Sequence, residues 1–360
     1  MLYHPAAHEP LTDRRWEDAW VRDAVRELLA DAHAAYDPDA LWPAHEWDGY
    51  RAALPLKNLY VGAAGMAWAL ERLGADGIDP AGVALRALER FRAEPDFMEG
   101  EEHPRRHSAL LVGETGIALV AWLLGGRARE LRTRLLDLIQ ANLDSDANEL
   151  MWGVPGTLLA ARALGDAEAV RASEEAVRAA READGLWTQH VWGETFRSLG
   201  APHGLVGNVA ALGEVGNAGE VLRAHARREG GHANWGTKLQ WCDGAPGILV
   251  CASAYLDEDL LLAAAQLVWD AGPPLAAEKG SGICHGTAGN GYALLKTFER
   301  TGDEQWLERA RAFGVHALEQ ARALPPRYSL FTGGVGAAVF ARDCLEAKSG
   351  FPIVERLAPA

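Results

Sequence analysis

A Gly-x-x-Gly element occurs seven times along this chain, and no other feature of the sequence constrains its fold so strongly. Each copy follows two or three mostly apolar residues and precedes a run of small, apolar residues. The first glycines of successive copies are separated by 51, 40, 51, 40, 42 and 47 residues. An interval of that size holds two helices of ordinary length and two connections, so the sequence predicts a series of helix pairs. The copies begin at Gly62, Gly113, Gly153, Gly204, Gly244, Gly286 and Gly333.

The segments between the copies predict how these pairs are arranged. Charged stretches with apolar residues every three or four positions occupy 127–143, 167–181, 257–271 and 304–322. This pattern is typical of amphipathic helices with one solvent-exposed face. We therefore predict an all-α fold, an α/α toroid whose apolar helices line the inside and whose amphipathic helices form the outer layer. The glycines are expected at the start of each inner helix, where they permit unusual φ angles and close backbone approach. An open solenoid of helix pairs is the structural alternative.

Composition limits the functions and locations to consider. The formal net charge of -15 and the pI near 5.3 argue against nucleic-acid binding, which needs a basic surface. No apolar run reaches the roughly 18 residues of a membrane span, and the first residues lack the pattern of a secretory signal. The four cysteines are too scattered for a disulfide framework, so we expect a cytoplasmic protein. We predict one domain over 1–360, with 1–53 as an N-terminal segment of the outer layer, or a contact for a partner, and 54–345 carrying the seven repeats.

Two consecutive repeats carry a potential metal site. Cys242 lies two residues before Gly244, Cys284 lies two residues before Gly286, and His285 follows directly. Equivalent positions of neighbouring repeats in a ring converge towards its axis, which favours a ring over a solenoid. Two thiolates and one imidazole suit Zn²⁺, and three protein ligands leave a fourth position open, as in catalytic zinc sites. The alternative is that both cysteines are small core residues.

Three further residues are candidates for chemistry near this site. His203, directly before Gly204, is expected to face the axis and to transfer a proton near pH 7, unless it caps a helix. Glu149, four residues before Gly153, can orient His203 or act as an acid, or it caps its own repeat or lies on a wet face. Lys279, five residues before Cys284, can bind a substrate carboxylate, although a lysine in a loop is more often only solvated.

Three motifs resemble those of the LanC-like (lanthionine synthetase C-like) family. They are Trp-Cys-Asp-Gly-Ala-Pro-Gly at 241–247, Cys-His-Gly at 284–286 and Pro-His-Gly-Leu-Val-Gly at 202–207. The resemblance implies an α/α toroid, zinc held by Cys242, Cys284 and His285, and His203 as the acid or base. It also places Glu149 where cyclases commonly have Asp. In the family's lantibiotic cyclases, zinc binds a substrate Cys thiolate that adds to dehydroalanine or dehydrobutyrine and forms a thioether.

The same resemblance bears on the partners. Eukaryotic relatives add glutathione to dehydroamino acids in proteins. The Gly-Ala-Pro-Gly sequence at 244–247 and Lys279 resemble these stand-alone proteins more than dedicated cyclases. Asp243 departs from both branches, where the family has His or often Tyr, and an acidic group there disfavours a second anionic thiolate. The expected partners are a dehydroamino-acid-containing peptide or protein and glutathione.

Two other functions stay open from the sequence. A zinc-binding protein that binds peptides or regulates without catalysis is favoured by Asp243. Carbohydrate-active α/α toroids share the architecture, but they need paired carboxylates or histidines at the centre, and the repeat positions here carry Cys and His.

Overall fold

The computed structural model describes residues 1–98 and 106–358, and within these ranges the chain forms fifteen α-helices and four short strands. The helices of the inner layer are α2 (Ala63–Leu73), α4 (Glu114–Leu124), α6 (Val154–Leu164), α8 (Leu205–Leu212), α10 (Ala245–Ala252), α13 (Thr287–Thr301) and α15 (Gly334–Glu346). Those of the outer layer are α1 (Asp18–Ala34), α3 (Pro80–Ala93), α5 (Arg129–Asn142), α7 (Ala167–Ala179), α9 (Ala218–His225), α11 (Glu258–Ala271) and α14 (Glu304–Ala323). A single-turn helix, α12 (Ala276–Lys279), precedes the sixth repeat.

The repeat glycines explain why each inner helix begins where it does. The first glycine of every copy is the N-cap of an inner helix. A Cβ on the second glycine would lie 1.9 to 2.3 Å from the carbonyl oxygen six residues earlier in every repeat, so no other residue fits there. Unusual φ angles matter less than the sequence suggests, because Gly244 alone among these fourteen glycines has a positive φ, of 104°. Close approach of the loop to its own helix is the common requirement.

The inner helices form a closed ring. Each one packs against the next in sequence, and α15 also packs against α2. The loops before the first and last inner helices are joined as well, since the Phe331 amide donates to the Tyr60 carbonyl over 3.3 Å. The predicted α/α toroid is therefore confirmed, and contact between the first and last inner helices rules out an open solenoid.

The outer layer follows the predicted amphipathic stretches to within a few residues at α5, α7, α11 and α14. From the N-terminal segment, α1 packs against α14 and α15 and so belongs to the outer layer. The assignment of the whole chain to one domain stays a prediction. In the part of the chain that the structure describes, every helix is too short or too polar to cross a membrane.

Two β-hairpins interrupt the helical pattern, and the sequence pattern did not predict them. The first pairs β1 (Thr188–Val191) with β2 (Glu194–Arg197), and the second pairs β3 (Arg227–Glu229) with β4 (His232–Asn234). Strands of three or four residues are too short for alternation to stand out. Their turns are the better signal, because Trp192-Gly193 and Gly230-Gly231 precede the second strand of each hairpin and the positive φ angles of hairpin turns favour glycine.

Candidate metal centre

Three donor atoms meet where the fifth and sixth inner helices begin. The Cys242 Sγ, the Cys284 Sγ and a ring nitrogen of His285 all lie within 4.8 Å of one another, and the Cys242 Sγ is 3.1 Å from the His285 Nδ1. Neighbouring inner helices α10 and α13 bring the three together, as the shared repeat position predicted. Cys284 is buried, whereas Cys242 and His285 are half-buried and line a cleft.

The two sulfurs affect each other's ionisation. A hydrogen bond from the Cys284 thiol, followed by contact with His285, lowers the pKa of Cys242 well below that of an ordinary cysteine, against the opposing effect of burial. Burial and the neighbouring Cys242 raise the pKa of Cys284. The inner-helix cysteines behave differently, because burial raises the pKa of both Cys251 and Cys344 and keeps them neutral. The surroundings therefore favour an ionised sulfur at the repeat position and neutral thiols within the inner helices.

This donor set fits a zinc ion. Zinc prefers thiolate sulfur and imidazole nitrogen, and three such protein ligands leave one position for a substrate. The proximity of the three donors and the easily ionised Cys242 match that chemistry. Among the residues that the structure describes, no carboxylate belongs to the cluster, which makes a hard cation such as Ca²⁺ or Mg²⁺ a poor fit.

The fourth repeat places a histidine on the same cleft, oriented by the third repeat. The His203 Nδ1 lies 2.7 Å from an Oε2 oxygen of Glu149, which is completely buried. Glu149 also accepts hydrogen bonds from the amides of Met151 and Trp152, so its carboxylate is held by its own loop. A carboxylate can only accept, so this contact assigns the Nδ1–H to Glu149 and directs Nε2 away from it. These contacts support two of the alternatives left open by the sequence, orientation of His203 and capping of its own repeat, and the complete burial of Glu149 excludes a position on a solvent-exposed face.

Aromatic residues of the first hairpin cover His203. Trp192, at the turn between β1 and β2, lies edge-on to the His203 ring with centroids 4.9 Å apart. Trp152 lies on a tilted plane 6.1 Å from the same ring, and Phe196 stacks on Trp192. The cleft has a volume of about 660 Å³, and its lining includes His203, Phe196 and the three donors. It therefore joins a candidate metal site and a candidate proton-transfer group in one space of peptide size.

Asp243 lines this cleft beside Cys242, but it is not an isolated charge; its predicted role as a substrate-binding residue stays a prediction. Its carboxylate lies 3.4 Å from the Lys238 Nζ, and Lys238 also lines the cleft. Burial, then the Cys242 charge, raise the pKa of Asp243, against the effect of Lys238. The lysine offsets part of the negative charge that the sequence places next to the sulfur.

Lys279 does not line the metal cleft. It lies at the end of α12 on a second cavity of about 560 Å³, bounded by α1, the loop around Trp47 and the loop before α15. Its predicted contact with a substrate carboxylate stays a prediction. Any ligand that reaches both Lys279 and the metal site has to extend between two cavities.

Tyr60 is a site residue that sequence reasoning missed. Its hydroxyl donates to the Cys284 Sγ over 2.9 Å, and burial, with the nearby Cys284, raises the pKa of Tyr60 so that the phenol stays protonated. The signal was available, because Tyr60 lies two residues before Gly62, the same repeat position as Cys242 and Cys284.

Comparison with known proteins identifies the relatives of this arrangement. A family model described as "Lanthionine synthetase C-like protein" matches residues 56–355. The solved structure of "Nisin cyclase" superposes with a TM-score of 0.58 at 13% sequence identity, covering 91% of this chain and 94% of that chain. At this identity the likeness is one of fold.

Two curated relatives match over shorter stretches. "Glutathione S-transferase LANCL1" of Danio rerio is 30% identical over 131 residues, 32% of this chain and 31% of that protein. "LanC-like protein GCL1" of Arabidopsis thaliana is 32% identical over 114 residues, 27% of this chain and 25% of that protein. The matched stretches thus span less than a third of either relative's length.

Proposed function

This chain belongs to the lanthionine synthetase C-like family, as its motifs predicted, and we propose that it is a zinc-dependent enzyme that joins a thiol to a dehydroamino acid as a thioether. The main support for the proposal is that two groups of side chains lie at one cleft. One is the Cys242, Cys284 and His285 donor set, and the other is His203 with its Glu149 partner. A metal site alone would equally suit a binding protein, but a buried carboxylate behind a cleft histidine suits proton transfer.

Cys242, Cys284 and His285 would hold the zinc, which supplies a Lewis acid that keeps a substrate thiol ionised near neutral pH. The sulfur of that thiolate forms a bond to the β-carbon of dehydroalanine or dehydrobutyrine. The π electrons of the double bond move to the α-carbon and its carbonyl, and a proton at the α-carbon completes the thioether. In balance, the thiol loses the proton that the α-carbon gains.

We propose that His203 moves that proton. Glu149 holds the Nδ1 side of the ring, so Nε2 takes up a proton and returns it to the α-carbon. The negative charge of Glu149 stabilises the imidazolium formed in between, and Trp152 and Trp192, which also contact each other, restrict the movement of the ring. The aromatic residues that line the cleft, Tyr60, Phe196 and Trp235, would limit water around the enolate, which favours proton delivery from a fixed donor.

We propose glutathione or a similar small thiol as the nucleophile, and a dehydroamino-acid-containing peptide or protein as its acceptor. The Gly-Ala-Pro-Gly sequence at 244–247 and a curated relative named as a glutathione S-transferase support this choice. Lys238 supports it further, since it offsets Asp243 and so reduces repulsion of an anionic thiol. Lys279 would bind a carboxylate of the thiol only if the ligand spans both cavities. The free cysteines support a cytoplasmic location, which we also propose.

The test uses the zinc-loaded protein, a dehydroalanine peptide and glutathione, with product followed by mass spectrometry. We expect a mass gain of one glutathione per peptide. Cys284→Ala should abolish it, and His203→Asn should slow it about 100- to 10,000-fold, the usual contribution of general acid–base catalysis. Cys344→Ala, which changes a buried cysteine of α15 outside the cluster, is the matched control and should keep zinc and activity.

A non-catalytic zinc protein that binds peptides or regulates is the second candidate, because Asp243 departs from the family pattern. Bound zinc with no adduct from any thiol would support that candidate over the enzyme. Protein that contains no zinc after purification in zinc-supplemented medium would contradict both.

A further inference from the structure

Tyr60 reaches the metal cluster from the opposite end of the sequence. The hydroxyl donates to the Cys284 Sγ over 2.9 Å, and the ring lies 4.9 Å from that of Phe331, in the loop of the last repeat. The Cys284 amide also donates to the Phe331 carbonyl over 2.8 Å. The loops of the first, sixth and last repeats thus meet at Cys284. Ring closure brings this tyrosine to the cluster.

The backbone that carries Tyr60 is held by a buried ion pair. Lys57 Nζ lies 2.9 Å from an Asp96 oxygen, and both side chains are almost inaccessible to water. Asp96 also accepts from the Asn58 side chain over 2.8 Å, and Asn58 in turn accepts from the amides of Tyr60 and Val61. A charged, fully hydrogen-bonded network of this kind fixes a loop in one conformation, so the position of the hydroxyl is set before any ligand binds.

From these contacts we infer that Tyr60 is a positioning residue for the metal centre, which acts through Cys284 by donating a hydrogen bond to its thiolate. The inference rests on the metal site of the proposed function but not on the reaction. A hydrogen bond withdraws charge from the sulfur, so Cys284 donates less charge to the metal, which then stays a stronger Lewis acid towards the substrate thiol. The two cysteine ligands are thereby unequal, because Cys284 is buried and accepts from Tyr60, whereas Cys242 is half-buried beside His285.

Cobalt substitution tests this without any turnover. Co²⁺ in a site with cysteine ligands gives a thiolate-to-metal charge-transfer band in the near ultraviolet. We expect Tyr60→Phe to move this band to longer wavelength, because loss of the hydrogen bond raises the energy of the sulfur lone pairs. We also expect zinc affinity at neutral pH to fall about tenfold, at the lower end of the effect of removing a partner of a metal ligand.

Tyr292→Phe is the matched control. Tyr292 is completely buried in α13, and its hydroxyl donates to Asp343 over 2.6 Å and not to a sulfur. This variant should lose stability yet leave the cobalt band and zinc affinity unchanged. Thermal melting of both variants, followed by circular dichroism, verifies that the spectra come from folded protein.

The outcomes separate the inference from the proposed function. If the cobalt charge-transfer band of Tyr60→Phe lies at the wild-type wavelength, the inference is wrong and the proposed function is unaffected. A shifted band in a protein that forms no thioether supports the inference and contradicts the function. Wild-type protein that takes up neither cobalt nor zinc overturns both.

Discussion

The two residues before the first glycine of each repeat determine what the ring can do chemically. The earlier of the two is Tyr60, Cys242 or Cys284 in the repeats that build the cluster, and the later is His203 or His285. Each loop is pressed against its own inner helix by the second glycine, so these side chains leave the loop at the same end of the ring. We expect a change of one residue at these positions to alter the chemistry with little effect on the fold.

Asp243 is the position at which we expect a substitution to improve activity. Its carboxylate lies beside Cys242 and is only partly offset by Lys238. Asp243→Asn should lower the KM for glutathione at neutral pH by roughly fivefold, since removing a partly solvated charge of like sign is worth about 1 kcal/mol. The effect should weaken as salt is added.

Steady-state kinetics at low and high ionic strength measure this effect. Asp39→Asn changes a fully exposed carboxylate elsewhere and is the matched control, with no effect on KM expected. A higher KM in Asp243→Asn would mean that the carboxylate instead helps to bind the thiol substrate.

At this scale the sequence predicted the cysteines and histidines that share a repeat position, missed Tyr60 at the same position, and gave no signal for residues that come from between the repeats. The repeat register brings Cys242, Cys284 and His285 to one centre, as expected. Trp192 could not be predicted in this way, because it comes from a hairpin between repeats and reaches His203 through tertiary packing. Lys279 was placed by its distance along the chain from Cys284, a measure that does not fix which cavity its side chain lines.

At the scale of the element, inner and outer helices are joined by charge as well as by apolar packing. Glu114, the first residue of α4, has a nearly buried side chain and accepts a two-point hydrogen bond from Arg134 of α5. It also accepts from Arg92 of α3 over 2.7 Å. One carboxylate at the start of an inner helix therefore joins the two outer helices on its flanks, and its position at a helix N-terminus adds to the attraction.

Glu114→Gln should reduce the free energy of unfolding at pH 7 by about 2 to 3 kcal/mol, because two arginines lose a charged acceptor. Burial acts to raise the pKa of Glu114, but the hydrogen bonds from Arg134 and Arg92 outweigh it and lower the pKa. With the folded-state pKa depressed, the contribution is present above the unfolded value of about 4.3 and is lost as pH falls below it.

Urea unfolding of both proteins at pH 7, 5 and 3 checks this. The difference between wild type and Glu114→Gln should shrink between pH 5 and pH 3. Glu71→Gln, at an exposed glutamate of α2, should show little difference at any pH. A difference for Glu114→Gln that persists at pH 3 would mean that side-chain shape, and not charge, stabilises this contact.

At the scale of the whole molecule, closure of the ring is what completes the site. The candidate ligands in repeats five and six predict a closed ring, because a ring gives them a shared centre that the other repeats also face. The structure adds a physical seam between α2 and α15, where Arg72 and Arg356 bind the completely buried carboxylate of Asp343. The seam unites residues from the two ends of the chain, so periodicity within one repeat carries no information about it.

Asp343→Asn should therefore destabilise the contact that closes the ring. Two arginines and the Tyr292 hydroxyl lose the charge of their common acceptor, and we expect the free energy of unfolding to fall by about 3 to 5 kcal/mol, as when one partner of a buried ion pair is removed. Equilibrium urea unfolding measures the loss, with Asp76→Asn at an exposed carboxylate as control. The seam lies at the other ends of α2 and α15 from the Tyr60 and Phe331 loops, which are joined by their own hydrogen bond, so the cobalt band of folded Asp343→Asn should keep its position. A loss below about 1 kcal/mol would mean that apolar packing of α2 on α15 closes the ring alone.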